Sequence, residues 1–476
     1  MAMPSDTLND SLPVDPDLAS RVLARTLEAG GDSADLFFER SVKTTYRFEE
    51  NRVKPIALDV EKGVGVRAVR GTTVGYAYAH DPAPAALEEA GSAARAIVRG
   101  EARAARVELA GRAVYPHRYS IPPAQVARSE KVELLRRAND AARAVSPEIQ
   151  QVTVSLREWI QEVAILESGG RWAEEERVLI ELYVVATARR GDRIEQMQAS
   201  RSGRRGFELF SATRPEDVGR QAAEGAVRLL DAIPAPAGAM PVVLGPGDGM
   251  TGVLIHEACG HALEADFIMK GNSIYAGKLG QKVASDLVTV IDDATLEGEM
   301  GALAFDDEAV DGQRTVLIRN GVLEGYMCDR IGARALGVAP TGNGRRESFH
   351  YPPLPRMTCT FVAPGTSDPA DLTQGIRRGL YVARMGGGAG DLSGAGFTFA
   401  VDEGYLIENG RITRPIKGAT LTGTGWDVLM GVEAIGNDFS LDPGGGRCGK
   451  VQLVPVSTGL PTVRVREMVV GGTDPG

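Results

Sequence analysis

Histidine and cysteine are scarce in this chain: five histidines and four cysteines in 476 residues. Four cysteines (Cys259, Cys328, Cys359, Cys448) spread over such a length cannot make a disulfide framework, and they fit a reducing compartment. Long apolar runs are missing too. No stretch of about 18 apolar residues occurs, which excludes an ordinary membrane-spanning helix. The first residues, Met1-Ala2-Met3-Pro4-Ser5-Asp6, carry neither basic residues nor an apolar core, so no secretory leader is expected and the chain reads as cytoplasmic. Positive charge is in deficit, with a formal net charge of −10 and a pI near 5.3. That balance argues against nucleic-acid or anionic-membrane partners.

Hydrophobic residues make up 43% of the chain, ample for two or three cores, and the 58 glycines cluster in the second half, a sign of turn-rich β structure. Residues 1–13 are polar and read as frayed. Asp15 to Glu28 places Leu18, Val22, Leu23 and Leu27 at helical spacing and stops at Gly30-Gly31. Period-two strands follow between Ala34 and Ala79, then a helix from Pro84 to Arg99. The same order recurs: a helix over Arg128 to Val145, strands between Gln151 and Ser200, a helix over Pro215 to Ala232. This predicts an N-terminal α/β domain, residues 1–232, with an antiparallel sheet, flanking helices and two similar halves. Residues 233–240, Ile233-Pro234-Ala235-Pro236-Ala237-Gly238 above all, read as a stiff linker. Residues 241–476 read as a mostly antiparallel β domain, with hairpins at Asn320-Gly321 and Asn409-Gly410 and a helix over Ala370 to Leu380. The fold class is therefore α+β.

The chemistry concentrates in Val253-Leu254-Ile255-His256-Glu257-Ala258-Cys259-Gly260-His261. This is the H-E-x-x-H grammar of zinc peptidases with one residue too many. On a regular helix, residues i and i+4 project about 40° apart but i and i+5 about 140° apart. The two imidazoles can share a metal only through a π-bulge, or with one of them beyond the helix end, and Gly260 is the expected place of distortion. A catalytic zinc needs a third ligand. His350, any of the cysteines, Glu264 and Asp266 are candidates. Cys448 stands out within Gly444-Gly445-Gly446-Arg447-Cys448-Gly449-Lys450, where neighbouring cations would favour a thiolate. Asn343, Arg345 and Arg346, in a polar glycine-rich stretch, suit recognition of a peptide carboxylate or oxyanion. The runs Met385–Gly390 and Gly245–Gly249 lack the Lys-Ser/Thr of a P-loop and read as turns or close backbone approaches.

Gly271-Asn272-Ser273-Ile274-Tyr275, Pro340–Ser348, Lys417-Gly418-Ala419-Thr420-Leu421, Gly436-Asn437-Asp438 and Cys448-Gly449-Lys450 accompany the histidine motif in order. Together they resemble the TldD branch of the TldD/PmbA family of zinc-dependent peptidases. The resemblance implies a His₂Cys zinc site made by His256, His261 and Cys448, with Glu257 as catalytic glutamate. It also implies hydrolysis of unfolded or extended peptides, including trimming of leader or precursor segments. The partner it implies is a PmbA/TldE-type homologue in a heterodimer, a homodimer being the alternative. The rival class is a non-catalytic interaction subunit with a structural metal. A thiol peptidase is a more distant rival.

Overall fold

The computed structural model describes residues 15–473 except 99, 102, 103, 117, 392 and 395; residues 1–13 and Arg99 of the expected elements lie outside the described residues. The fold is α+β, with mostly antiparallel pairing in three large sheets.

The first helix, Pro16–Leu27, starts where the Asp15 carboxylate accepts the backbone N–H groups of Asp17 and Leu18, and it buries Leu18, Val22, Leu23 and Leu27. Together with the helix Pro84–Ile97 it covers the strands Ser33–Glu49, Ala57–Arg70 and Thr73–Ala79. The helices Arg128–Arg143 and Pro215–Leu229 cover Ile149–Glu167, Trp172–Arg190 and Arg193–Gly203 in the same way. Antiparallel pairing of Ser33–Glu49 with Ile149–Glu167 joins both sets into one eight-stranded sheet.

These strands run on where sequence alternation suggested breaks. Glu39, Arg40 and Ser41 interrupt the apolar pattern, yet all three are buried and paired across the sheet. Gln161 donates to Glu39 at 2.7 Å, Arg40 meets Glu162 at 3.1 Å, and Trp159 Nε1 donates to Ser41 at 2.8 Å. Cross-strand polar pairs replace the missing apolar contacts and keep the ladder intact.

The proline-rich stretch expected as a linker is built into the second sheet. Ile233–Pro234 pairs with Ile416 and Lys417, and Gly238–Leu244 lies between Val463–Gly471 and Arg378–Gly390. That sheet closes on itself: Arg378–Gly390 also pairs with Phe397–Glu408, which pairs through Ala419–Gly423 back to Val463–Gly471. A third sheet runs in the order Val322–Leu323, Arg314–Arg319, Val290–Asp293, Cys359–Val362, Gln452–Leu460, Ser440–Leu441. The hairpins at Asn320-Gly321 and Asn409-Gly410 form as expected. The helix expected over Ala370 to Leu380 does not form. Pro369–Asp371 is a single 3₁₀ turn, Gly375 has φ +76°, and from Arg378 the chain is a strand whose Leu380 and Val382 sit opposite Val242 and Leu244. Glycine in the left-handed region ends the helical pattern, and sheet pairing takes up the apolar residues.

Leu254, Ile255, Ala258 and Ala262 lie in one core with Val382 and Met385 of the closed sheet and Val290, Val362 and Val456 of the third sheet. The histidine segment is thus embedded between two sheets.

Candidate metal centre

Val253–Ile255 makes one α-turn, His256–Gly260 a π-turn and His261–Leu263 a 3₁₀ turn. The His261 N–H donates to the His256 carbonyl, five residues back, so the surplus residue is absorbed by a wider turn. The imidazole centroids are 4.9 Å apart with planes at 88°. Both rings are buried. Gly260 has ordinary helical dihedrals; its lack of a side chain serves packing, because a Cβ there would stand 2.2 Å from Met357 Sδ.

Cys448 arrives on the strand Gly446–Lys450, which turns at Val451 (φ 64°) into Gln452–Leu460. Its Sγ lies 3.1 Å from His256 Nε2 and 3.3 Å from His261 Nε2. These three donors form a group within 4.8 Å of one another. Tetrahedral zinc would hold a thiolate sulfur and an imidazole nitrogen about 3.5 Å apart. The observed spacing is a few tenths of an ångström inside that, so two nitrogens and one sulfur fit a borderline-soft cation with one coordination position left open.

The electrostatics describe a thiolate facing imidazole positive charge. Burial alone would push the Cys448 thiol up, but His256 and His261 outweigh it and hold the group well below its ordinary value. For His261, burial works against the charged ring, and Glu264 with Cys448 overcomes it, raising the pKa to about 10. The flanking cations expected to favour the thiolate face elsewhere. Arg447 pairs with Glu181 at 2.5 Å, and Lys450 Nζ reaches Glu264 at 2.7 Å and Asp266 at 2.9 Å.

The other candidate ligands have different partners. Cys259 donates to the Ile255 carbonyl, and Cys328 and Cys359 are buried. His350 hydrogen-bonds Ser348 and stacks on Phe349. Glu264 Oε2 sits 3.0 Å from His261 Nδ1, behind the ring rather than among the donors. Glu257 is half-buried, and its Oε2 lies 2.6 Å from where a Cβ on Gly390 would be. Gly390 also lines an open cleft of about 720 Å³, bordered by Asp391, Phe397, Thr398, Thr422 and Thr424. The glycine runs read as close approaches are such: a Cβ on Gly249 would stand 1.9 Å from the Ala383 carbonyl, and Gly388 abuts Phe399.

Asn343, Arg345 and Arg346, expected to contact a peptide, are buried and spend their donors internally. Asn343 Nδ2 donates to Asp292 and to the Arg356 carbonyl, Arg345 to the Met357 carbonyl, and Arg346 to Asp35 and the Asp307 carbonyl. Expected substrate contact by these three therefore finds no support in their placement. One residue that reasoning from sequence passed over is Arg356. It is fully buried and donates to the Cys448 carbonyl at 2.6 Å and the Gln452 carbonyl at 3.0 Å. No local pattern around Arg356 marks it; its role exists only once the strands meet.

Three consecutive family models match the chain. They are described as PmbA/TldA metallopeptidase domain 1 over residues 34–98, central domain over 121–230, and C-terminal domain over 237–472. A metalloprotease TldD homolog of Haemophilus influenzae is 39% identical over 452 residues, 93% of each chain. A metalloprotease of Methanothermobacter thermautotrophicus is 35% identical over 467 residues, 97% of this chain and 100% of the relative. A zinc metalloprotease TldD homolog of Saccharolobus solfataricus is 26% identical over 458 residues, 95% and 99% of the two chains. Among solved structures, a proposed modulator of a DNA gyrase from Thermotoga maritima aligns with a TM-score of 0.77 at 21% identity, covering 96% and 99%. TldE from Thermococcus kodakarensis aligns with a TM-score of 0.73 at 19% identity, covering 93% and 97%. At those identities the structures speak for the fold alone.

Proposed function

As the chain belongs to the PmbA/TldA metallopeptidase family, we propose that it is a zinc-dependent peptidase whose metal is held by His256, His261 and Cys448 and whose general base is Glu257. The observation that carries this reading is the convergence of His256 Nε2, His261 Nε2 and Cys448 Sγ from segments almost 200 residues apart. A zinc ion bound there supplies a Lewis acid and brings the pKa of a coordinated water to about 7.

The chain's own groups do the rest. With its Nδ1 engaged by Glu264, His261 would present Nε2 to the metal beside Cys448. Glu257 directly follows a ligand and packs against Gly390, a residue of the cleft wall; in this reading its carboxylate takes a proton from the attacking water and delivers it to the leaving amine. Backbone groups and threonine hydroxyls around that cleft suit an extended peptide recognised through its main chain, with Asp391 adding a negative charge to the lining. This favours unfolded segments or leader peptides as substrates. The rival, a structural metal in a non-catalytic subunit, calls for a fourth ligand, and the group among the described residues contains three. The name of the Saccharolobus solfataricus relative supports zinc, and the partner in this reading is a PmbA/TldE-type homologue in a heterodimer, a homodimer being the alternative. No helix among the described residues is long and apolar enough to cross a membrane.

The test is incubation of the purified protein, alone and with a PmbA/TldE-type homologue, with an unstructured peptide, and mass spectrometry of the products. Fragments that vanish with a chelator and return with zinc are expected. Glu257→Ala should keep its zinc and release no fragments. An active Glu257→Ala protein would remove the glutamate from this role.

A further inference from the structure

Behind the metal ligands stands a buried charge cluster that links the two ends of the site. Glu264 is fully buried. Its Oε2 lies 3.0 Å from His261 Nδ1 and accepts from Lys450 Nζ at 2.7 Å. Its Oε1 faces Arg356 Nε at 3.8 Å. Lys450 is two residues beyond Cys448 on the same strand, so both side chains leave on one face of it. Lys450 also donates to Asp266 and to the Pro355 carbonyl, while Arg356 holds the Cys448 carbonyl. His256 Nδ1, by contrast, is buried without a hydrogen-bond partner among the described residues.

We propose that Glu264 is the positioning residue of the metal centre, and that its ion pair with Lys450 is a latch that seats the Cys448 strand against the His261 ring. This proposal rests on the metal reading above and adds a residue pair to it. Two physical tasks converge on the one carboxylate. In a metal-bound ring it would hold the proton on Nδ1, leaving Nε2 for the metal shared with Cys448. Together with Asp266 it also offsets Lys450 and Arg356, two buried cations that stand behind a site for a divalent cation. Because Lys450 and Cys448 share a strand, the interaction that orients one ligand also brings in another from 187 residues away. His256 has no such support, so the dependence falls on His261 and Cys448.

The test is zinc affinity of the full chain by competition with a chromophoric chelator, with cobalt(II) spectra of the same proteins. Glu264→Gln should weaken zinc binding about 10- to 100-fold and alter the cobalt d–d bands while keeping the thiolate-to-cobalt charge-transfer band. Lys450→Met should weaken zinc to a similar extent, Lys450→Arg should recover part of the loss, and the double variant should lose no more than the worse single one. If Glu264→Gln does not accumulate as folded protein, the Lys450→Met and Lys450→Arg pair reads the same latch from the other strand. Wild-type zinc affinity in both Glu264→Gln and Lys450→Met, or strictly additive losses in the double variant, overturns the latch and leaves the metal reading standing. A wild-type protein that binds no zinc brings down both.

Discussion

Cys448 Sγ lies 3.1 Å from His256 Nε2, although 192 residues separate them in the chain. The approach is made by backbone architecture. Cys448 sits in a tight hairpin whose second strand, Gln452–Leu460, runs parallel to Cys359–Val362, and Arg356 ties the hairpin's carbonyls at residues 448 and 452. The histidine segment is packed against the same core from the other side.

The π-turn depends on the missing side chain at Gly260, because Met357 Sδ occupies the space a Cβ would need. Gly260→Ala should therefore cost about 1–3 kcal/mol of stability by overpacking, read from chemical denaturation, and should weaken zinc retention. Combined with Met357→Ala, the loss should be smaller than the sum of the two single effects. Additive losses would mean that Gly260 and Met357 do not compete for that space.

Arg346 is a structural residue in this account. Its guanidinium stacks over Phe37 at 4.3 Å and meets Asp35 at 3.2 Å, joining the N-terminal sheet to the second half of the chain. Arg346→Ala should lower stability by about 3–5 kcal/mol, the range for breaking a buried pair, and leave the KM of the folded fraction unchanged. A raised KM at full stability would return Arg346 to the substrate.

The pH dependence of stability should carry the mark of Glu39. Burial pushes its carboxyl up to about 7, against hydrogen bonds from Gln161 and the Phe349 N–H that favour the ionised form. Between pH 4.5 and 7 the folded state then holds a proton that the unfolded chain has released. Glu39 therefore costs stability as pH rises through that window, by about 3 kcal/mol once fully ionised. Denaturation of wild type between pH 5 and 8 should show this fall superimposed on other titrations, and Glu39→Gln should flatten it. An identical slope in both proteins would place the titration elsewhere.

The four long helices of the first half and the two Asn-Gly turns are legible because each follows from local spacing, whereas the short helices Arg330–Leu336 and Gly425–Met430 are not. Long strands are less so, since Glu39, Arg40 and Ser41 become strand interior only once partners across the sheet satisfy them. The apolar spacing around Leu372 and Leu380 imitates a helix, and sheet pairing decides otherwise. At the site, the extra residue between His256 and His261 calls for either a π-turn or a helix end between them, and the chain takes the π-turn. The roles of Glu264, Lys450 and Arg356 are not readable in the same way. They are relations between segments that meet only after folding, and the glycine-rich surroundings of Arg345 and Arg346 suggest a surface loop where the chain is buried.

The central claim is that two imidazoles and one thiolate share a single metal. Zinc-edge X-ray absorption on the purified protein addresses it directly. The account predicts one sulfur scatterer at about 2.3 Å and two imidazole nitrogens at about 2.0–2.1 Å per zinc, with the sulfur shell absent in Cys448→Ser. A zinc site without sulfur in the wild type, or a sulfur shell that survives in Cys448→Ser, would contradict it.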